Sequence, residues 1–142
     1  MLEKKRNPVA RLHVVAVSAR LPAWAESACA DYLRRMPKGY EISRIDAKPD
    51  RLRASLPKGV RIVALDERGR DFTTLQFSKL LNETTAFVIG GADGLDAGVI
   101  GAAMQTLSFG PQTWPHALAR AMLAEQLYRA VAILAGAPYH RD

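Results

Sequence analysis

The chain has 142 residues, a formal net charge of +6 from 20 Lys and Arg against 14 Asp and Glu, and a pI near 9.8. A hydrophobic fraction of 49% and a charged fraction of 24% fit one folded domain and exclude a disordered chain. No apolar run is long enough to span a bilayer, the charged N-terminus lacks a signal-peptide core, and Cys29 is the single cysteine beside three histidines, so no membrane, disulfide or metal cluster is expected and a reducing, cytoplasmic setting is. So basic a balance favours a polyanionic partner, most often nucleic acid, with a merely solvated positive face as the alternative.

In chain order, residues 1–10 form an N-terminal extension to a single domain spanning 1–142. Residues 11–17 (R-L-H-V-V-A-V) predict a central strand. Leu21-Pro22 opens a helix, with proline at its first position and Trp24, Ala28, Cys29, Tyr32, Leu33 and Met36 as its apolar stripe. Residues 40–46 alternate as a more exposed strand, and 47–59 form a basic linker punctuated by Pro49, Pro57 and Gly59. Residues 60–65 predict a third strand, with a polar turn at 66–70. A helix over 74–82, capped by Thr73 and carrying Leu75, Phe77, Leu80 and Leu81, leads to a fourth strand at 86–89.

That fourth strand runs into Gly90-Gly91-Ala92-Asp93-Gly94. The glycines suit close main-chain approach to a small ligand, and equally suit a tight turn that reverses the chain. A short helix over 97–104, a strand over 106–109, the loop Gly110, Pro111, Gln112, Thr113, Trp114 and Pro115, and a long helix over 117–135 follow; Glu125 precedes Arg129 by four residues, and Gly136 stops the helix. The alternation predicts an α/β domain with a mainly parallel sheet of five to six strands, whose ligands bind beyond the strands' carboxyl ends.

Phosphate-loop, nucleophile-elbow and zinc-protease motifs are absent, and G-G-x-x-G after the fourth strand is not the dinucleotide fingerprint. What remains is three strand-end loops, at Leu65-Asp66, Gly90-Gly91 and residues 110–115, with the polar tail Tyr139-His140-Arg141. Such loops can hold a small ligand by main-chain bonds while side chains meet an anionic second substrate.

The segments Leu21-Pro22-Ala23-Trp24, Asp31-Tyr32-Leu33-Arg34-Arg35-Met36-Pro37, Ile89-Gly90-Gly91-Ala92-Asp93-Gly94-Leu95, Trp114-Pro115-His116, Glu125-Gln126-Leu127-Tyr128-Arg129-Ala130 and Pro138-Tyr139-His140-Arg141 resemble, in matching order from Leu12 to the C-terminus, the RlmH family of bacterial large-subunit ribosomal RNA methyltransferases, a branch of the SPOUT class. The resemblance departs at Ala92-Asp93, where many members have Pro-Glu, in a shorter 47–59 linker and in the N-terminal extension. It implies a homodimer with a C-terminal deep trefoil knot, and S-adenosyl-L-methionine bound by Leu65, Gly91, Gly110, Pro111, Gln112, Thr113, Trp114 and Pro115. It further implies methyl transfer to N3 of a pseudouridine in 23S rRNA of assembled ribosomes. His140, Arg141, Tyr139, His116 and Arg129 are the candidates for chemistry or RNA contact; a helix cap for His116, a surface pair for Arg129 and a packed aromatic for Tyr139 are the structural alternatives. A non-enzymatic RNA-binding or ribosome-assembly factor, and an enzyme using the glycine loop for nucleotide phosphates, are the competing functional readings.

Overall fold

The structure is a computed structural model and describes residues 10–17, 20–91 and 93–141. The N-terminal extension, apart from Ala10, lies outside the described residues, as do Ala92 of the glycine loop and Asp142 of the tail. Five strands, β1 (Ala10–Val17), β2 (Tyr40–Ala47), β3 (Arg61–Asp71), β4 (Thr85–Ile89) and β5 (Gln105–Ser108), form one sheet in the order β2-β1-β4-β3-β5, and every pairing is parallel. The helices are α1 (Ala23–Arg34), α2 (Thr74–Ser78), α3 (Ala97–Ala102) and α4 (His116–Ala135).

Strand side chains alternate between faces, and the two faces are covered differently. Leu12, Val14 and Ala16 of β1 and Phe87 and Ile89 of β4 join Phe77 and Leu81 beneath α2 and Leu123, Leu127 and Val131 of α4. Their neighbours Val15, Val17, Ala86 and Val88 face the other way, onto Leu52 and Val99 of α3. Burying each Leu, Val or Phe contributes about 1.5–3 kcal/mol, which makes β4, buried at all five positions, the centre of the domain. The α4 face that enters the core recurs as Arg120, Leu123, Ala124, Leu127, Ala130 and Val131, the three-and-four spacing of one helical stripe.

The topology opens a crevice. From β3 the chain passes to α2 and the 3-10 turn after it, whose Phe77 and Leu81 belong to one face of the sheet; from the adjacent β4 it passes to α3, whose Val99 belongs to the other. Neighbouring parallel strands that send their connections to opposite faces leave a gap beyond their carboxyl ends.

Several sequence expectations are corrected. Pro22 does not occupy the first helical position: it precedes α1 as the extended N-cap residue, and its carbonyl accepts from the Ala25 and Glu26 amides at 3.0 and 3.1 Å. Trp24 is 55% exposed, because the buried stripe runs through Ala25 and Cys29 and the preceding position turns outward. Leu75 is likewise 48% exposed while Phe77 and Leu81 are buried. The 74–82 helix is α2 followed by a 3-10 turn at Lys79–Asn82, and α3 ends at Ala102, two residues early. In the 47–59 linker stand two 3-10 turns, Pro49–Arg51 and Arg53–Ser55.

The polar turn expected at 66–70 belongs to β3, which continues to Asp71. Leu65 and Arg70 both pair with Leu107 of β5, so residues 66–69 bulge out and the ladder then resumes. Gly69 is required there: a Cβ would stand 2.7 Å from the Leu107 amide nitrogen and the Thr106 carbonyl carbon, with no side chain available to yield.

Candidate functional site

The three strand-end loops converge on one cleft of about 510 Å³. Leu65 and the bulge residues Asp66 to Arg68 form one side, the glycine loop another, and the segment after β5 the third. Of the residues expected to hold a cofactor, Leu65, Gly91, Gly110, Gln112, Thr113 and Trp114 line this cleft. Pro111 and Pro115 are not in its lining; Pro115 instead precedes α4 in extended conformation and accepts from the Ala119 amide.

Local bonds fix each wall. Asp66 accepts from the Arg68 amide at 3.1 Å and from its Nε at 3.2 Å, closing the bulge on itself. Ser108 donates from its hydroxyl to the Gly110 carbonyl at 2.8 Å and accepts from the Gly110 amide at 3.0 Å. Trp114 Nε1 donates to the Phe109 carbonyl at 3.3 Å. In the glycine loop the Gly94 amide donates to the Gly91 carbonyl at 2.9 Å, and Asp96 caps α3 through the Val99 amide at 2.8 Å. Gly90 has no room for a side chain: a Cβ would meet the Gly94 carbonyl carbon at 2.5 Å, its oxygen at 2.6 Å and the Leu95 nitrogen at 2.8 Å.

His116, the first residue of α4, also lines the cleft, and its Nδ1 donates to the Gly90 carbonyl at 3.0 Å. Burial lowers its pKa most, the Gly90 bond opposes this, the Arg120 cation lowers it further, and the net direction is down. The ring is therefore neutral at pH 7 and engaged in holding the glycine loop, a role as wall and brace that sequence alone did not separate from catalysis.

Tyr139, His140, Arg129 and Glu125 form a second constellation. Glu125 accepts from Arg129 Nε and Nη2 at 2.9 and 2.7 Å and from the Tyr139 hydroxyl at 2.9 Å. His140 Nδ1 lies 3.4 Å from Arg129 Nη1, and Arg141 is exposed. The Tyr139 ring stands edge-on to Tyr128 with centroids 4.8 Å apart and lies 4.6 Å from the Arg129 guanidinium carbon. Arg35 adds a second guanidinium, 5.0 and 5.2 Å from the rings of Tyr32 and Tyr128. The surface pair and the packed aromatic are thus both present, and both belong to a built basic-aromatic cluster.

Distance separates this cluster from the cleft within one chain. Glu125 and Arg129 follow His116 by nine and thirteen positions on α4, roughly 13 and 20 Å at the helical rise. Between them lies a second cavity of about 550 Å³, which shares Leu107, Ser108, Phe109 and Gly110 with the cleft and reaches Glu125 and Tyr32. Sequence reading also missed Arg120 and Asp46, which form an ion pair at 3.0 Å behind His116. Their 74-residue separation leaves no local signal. Among the described residues no group of His, Cys, Asp and Glu could hold a metal ion, and no helix is long and apolar enough to cross a membrane.

A wholly parallel sheet with a glycine-lined crevice at the ends of β3, β4 and β5 defines an α/β small-molecule-binding domain. The family model described as "Predicted SPOUT methyltransferase" matches residues 10–140. Proteins called ribosomal RNA large subunit methyltransferase H from Burkholderia thailandensis and Verminephrobacter eiseniae are 41% and 39% identical, over 92% and 93% of this chain and 99% of each relative. The crystal structure of the SpoU methyltransferase AviRb from Streptomyces viridochromogenes, solved in complex with AdoMet, shares the fold with a TM-score of 0.54 at 13% identity, over 94% of this chain and 61% of that one. The chain belongs to the SPOUT methyltransferase family, among the relatives that carry the large-subunit methyltransferase H name.

Proposed function

We propose that this protein transfers a methyl group from S-adenosyl-L-methionine to N3 of a pseudouridine in 23S ribosomal RNA of the assembled ribosome, as a cytoplasmic homodimer of a single-domain chain. The observation that carries this reading is the convergence of three strand-end loops, in a family member, on one cleft braced at the Gly90 carbonyl. A volume of about 510 Å³ suits a small molecule, for which sites run roughly 300–1,000 Å³. Main-chain groups of Gly91 and Gly110 and the side chains of Leu65, Gln112, Thr113 and Trp114 offer both bonding partners and apolar surface, so the residues present fit the cofactor. Pro111 and Pro115 shape the loop that carries these groups.

When bound, S-adenosyl-L-methionine supplies an electrophilic sulfonium methyl. The chain's own work is then to align a nucleophilic nitrogen with it, remove the imide proton and exclude water. His140 takes that proton on an imidazole nitrogen. Arg141 and Arg129 meet phosphate or the negative charge that develops on the base carbonyls, and Tyr139 fixes the tail that carries them. His116 holds the cofactor loop.

The separation along α4 supports the homodimer, because a two-fold arrangement can bring one chain's tail to its partner's cleft. The trefoil knot is supported by membership of the SPOUT family. The basic surface suits an RNA partner. Incubation with methyl-labelled cofactor and ribosomes lacking the modification tests the proposal: label in large-subunit RNA is expected, and cofactor binding without label would remove the substrate assignment.

A further inference from the structure

His116 and Arg120 stand one turn apart on α4, and each carries a buried side-chain nitrogen without a hydrogen-bond partner among the described residues: His116 Nε2 and Arg120 Nη1. Arg120 is 2% exposed. Its Nη2 donates to Asp46 Oδ1 at 3.0 Å, so one prong of the guanidinium is tied to the end of β2 while the other is not. A cation buried this deeply is costly unless its donors are used.

The protonation of His116 follows from its partner. The Gly90 carbonyl can only accept, so the proton is on Nδ1, and in the neutral ring Nε2 keeps a lone pair. The other neutral tautomer and the imidazolium both place a proton on Nε2, on a ring already held close to a cation. Of the three forms, only the Nδ1–H tautomer leaves Nε2 without a proton, and Arg120 lies one turn along α4.

We propose that Arg120 is a positioning residue of the methyl-donor cleft: anchored by Asp46, its guanidinium holds His116 in the Nδ1–H tautomer that grips the Gly90 carbonyl and so sets the shape of the glycine loop. This rests on the reading of the cleft as the cofactor site. The loop makes such a grip consequential, because it folds back so closely that a Cβ at Gly90 would stand 2.5 Å from the Gly94 backbone and 2.8 Å from the Leu95 nitrogen. The downward direction of the His116 pKa agrees: burial lowers it most, the Gly90 bond opposes, Arg120 lowers it further and Asp46 opposes. The remaining charges at the cleft are Asp66, Glu67 and Arg68 on β3 and Asp93 in the glycine loop.

The test uses the full chain with isotope-labelled histidine, assigning His116 by comparison with His116→Gln, and follows its ring nitrogens by NMR through a pH titration while calorimetry measures S-adenosyl-L-methionine binding. Arg120→Met removes the cation: the His116 pKa rises, the tautomers mix, and the Kd weakens about tenfold, the worth of one buried hydrogen bond. Arg120→Lys restores the tautomer. Asp46→Asn, at a half-exposed carboxylate, moves the pKa the opposite way, which a merely structural role would not do. An unchanged tautomer and pKa in Arg120→Met, or shifts of one sign in both variants, would overturn the inference. If Arg120→Met does not fold, Asp46→Asn decides alone, and a His116 pKa that stays or rises overturns it. Absence of cofactor binding by the unaltered protein would instead overturn the cleft reading, with the titration still deciding the role of Arg120.

Discussion

Tyr139 donates its hydroxyl to the Glu125 carboxylate at 2.9 Å, the same oxygen that Arg129 grips at 2.7 Å, so the C-terminal tail is fastened to α4 through one acceptor. Burial raises the Glu125 pKa, but the bonds from Arg129, Tyr139 and Gln126 outweigh it and the net direction is down from 4.5. A carboxyl lowered on folding contributes stability above its unfolded pKa and loses it as pH falls through the lower folded value. Tyr139 moves the other way, pushed up from 10.0 to about 12, first by burial and then by Glu125; its contribution is present below pH 10 and lost as pH rises toward that value. The fastening is therefore intact across the neutral range. Alkaline titration of phenolate absorbance is expected to show one tyrosine near pH 12 that is missing in Tyr139→Phe.

Replacing the shared acceptor tests the same cluster. Glu125→Gln keeps the size and removes the charge, and urea unfolding is expected to show a loss of about 1–2 kcal/mol, since hydrogen bonds to charged groups exceed neutral ones. An unchanged midpoint would mean that the tail is not held through Glu125.

At the cleft, Gly90 is expected to be less replaceable than Gly91. A methyl group at Gly90 collides with backbone at 2.5 Å, whereas at Gly91 the nearest atom is Val17 Cγ1 at 3.2 Å, on a side chain that can shift. Gly90→Ala should cost about 1–3 kcal/mol as overpacking does and weaken S-adenosyl-L-methionine binding, with Gly91→Ala affecting both less. Calorimetry and thermal unfolding of the two variants check the order.

How much of this was visible in the sequence depended on whether the signal was local. The apolar run 86–89 of β4, the Gly136 stop of α4, taken up with φ 74°, and the Thr73 cap follow from neighbouring residues, and the Thr73 hydroxyl does accept from the Gln76 amide at 3.1 Å. Six of the eight expected cofactor residues meet in one cleft because parallel strands deliver their loops to one end. Polar residues 66–70 look like a turn, yet they continue β3 because pairing with β5 outweighs local composition. Trp24 and Leu75 share the apolar character of their helices, but each is the second residue of its helix and the fold leaves that position exposed. Arg120 carries no local signal in the sequence, and its partner Asp46 reaches it only through the fold.

The capping box offers a stability check outside the lining of the cleft. Thr73→Ala removes the hydroxyl that receives the Gln76 amide, while Gln76 Oε1 accepts from the Thr73 amide at 2.9 Å. A loss of about 1 kcal/mol is expected from chemical unfolding, with cofactor affinity unchanged.

Arg141, exposed at the end of the tail, separates binding from turnover. Arg141→Ala is expected to spare cofactor affinity and lower the rate on ribosomes; equal rates would remove it from the site.

Most direct is a mixed assembly of two impaired chains, one carrying Gly90→Val with an intact tail and the other Arg141→Ala with an intact cleft. If the site joins one chain's cleft to its partner's tail, random pairing leaves about a quarter of the sites with both parts intact, and methyl transfer to unmodified ribosomes should recover to about that fraction of the unaltered protein. Recovery no greater than the sum of the two separate variants would contradict a site shared between chains.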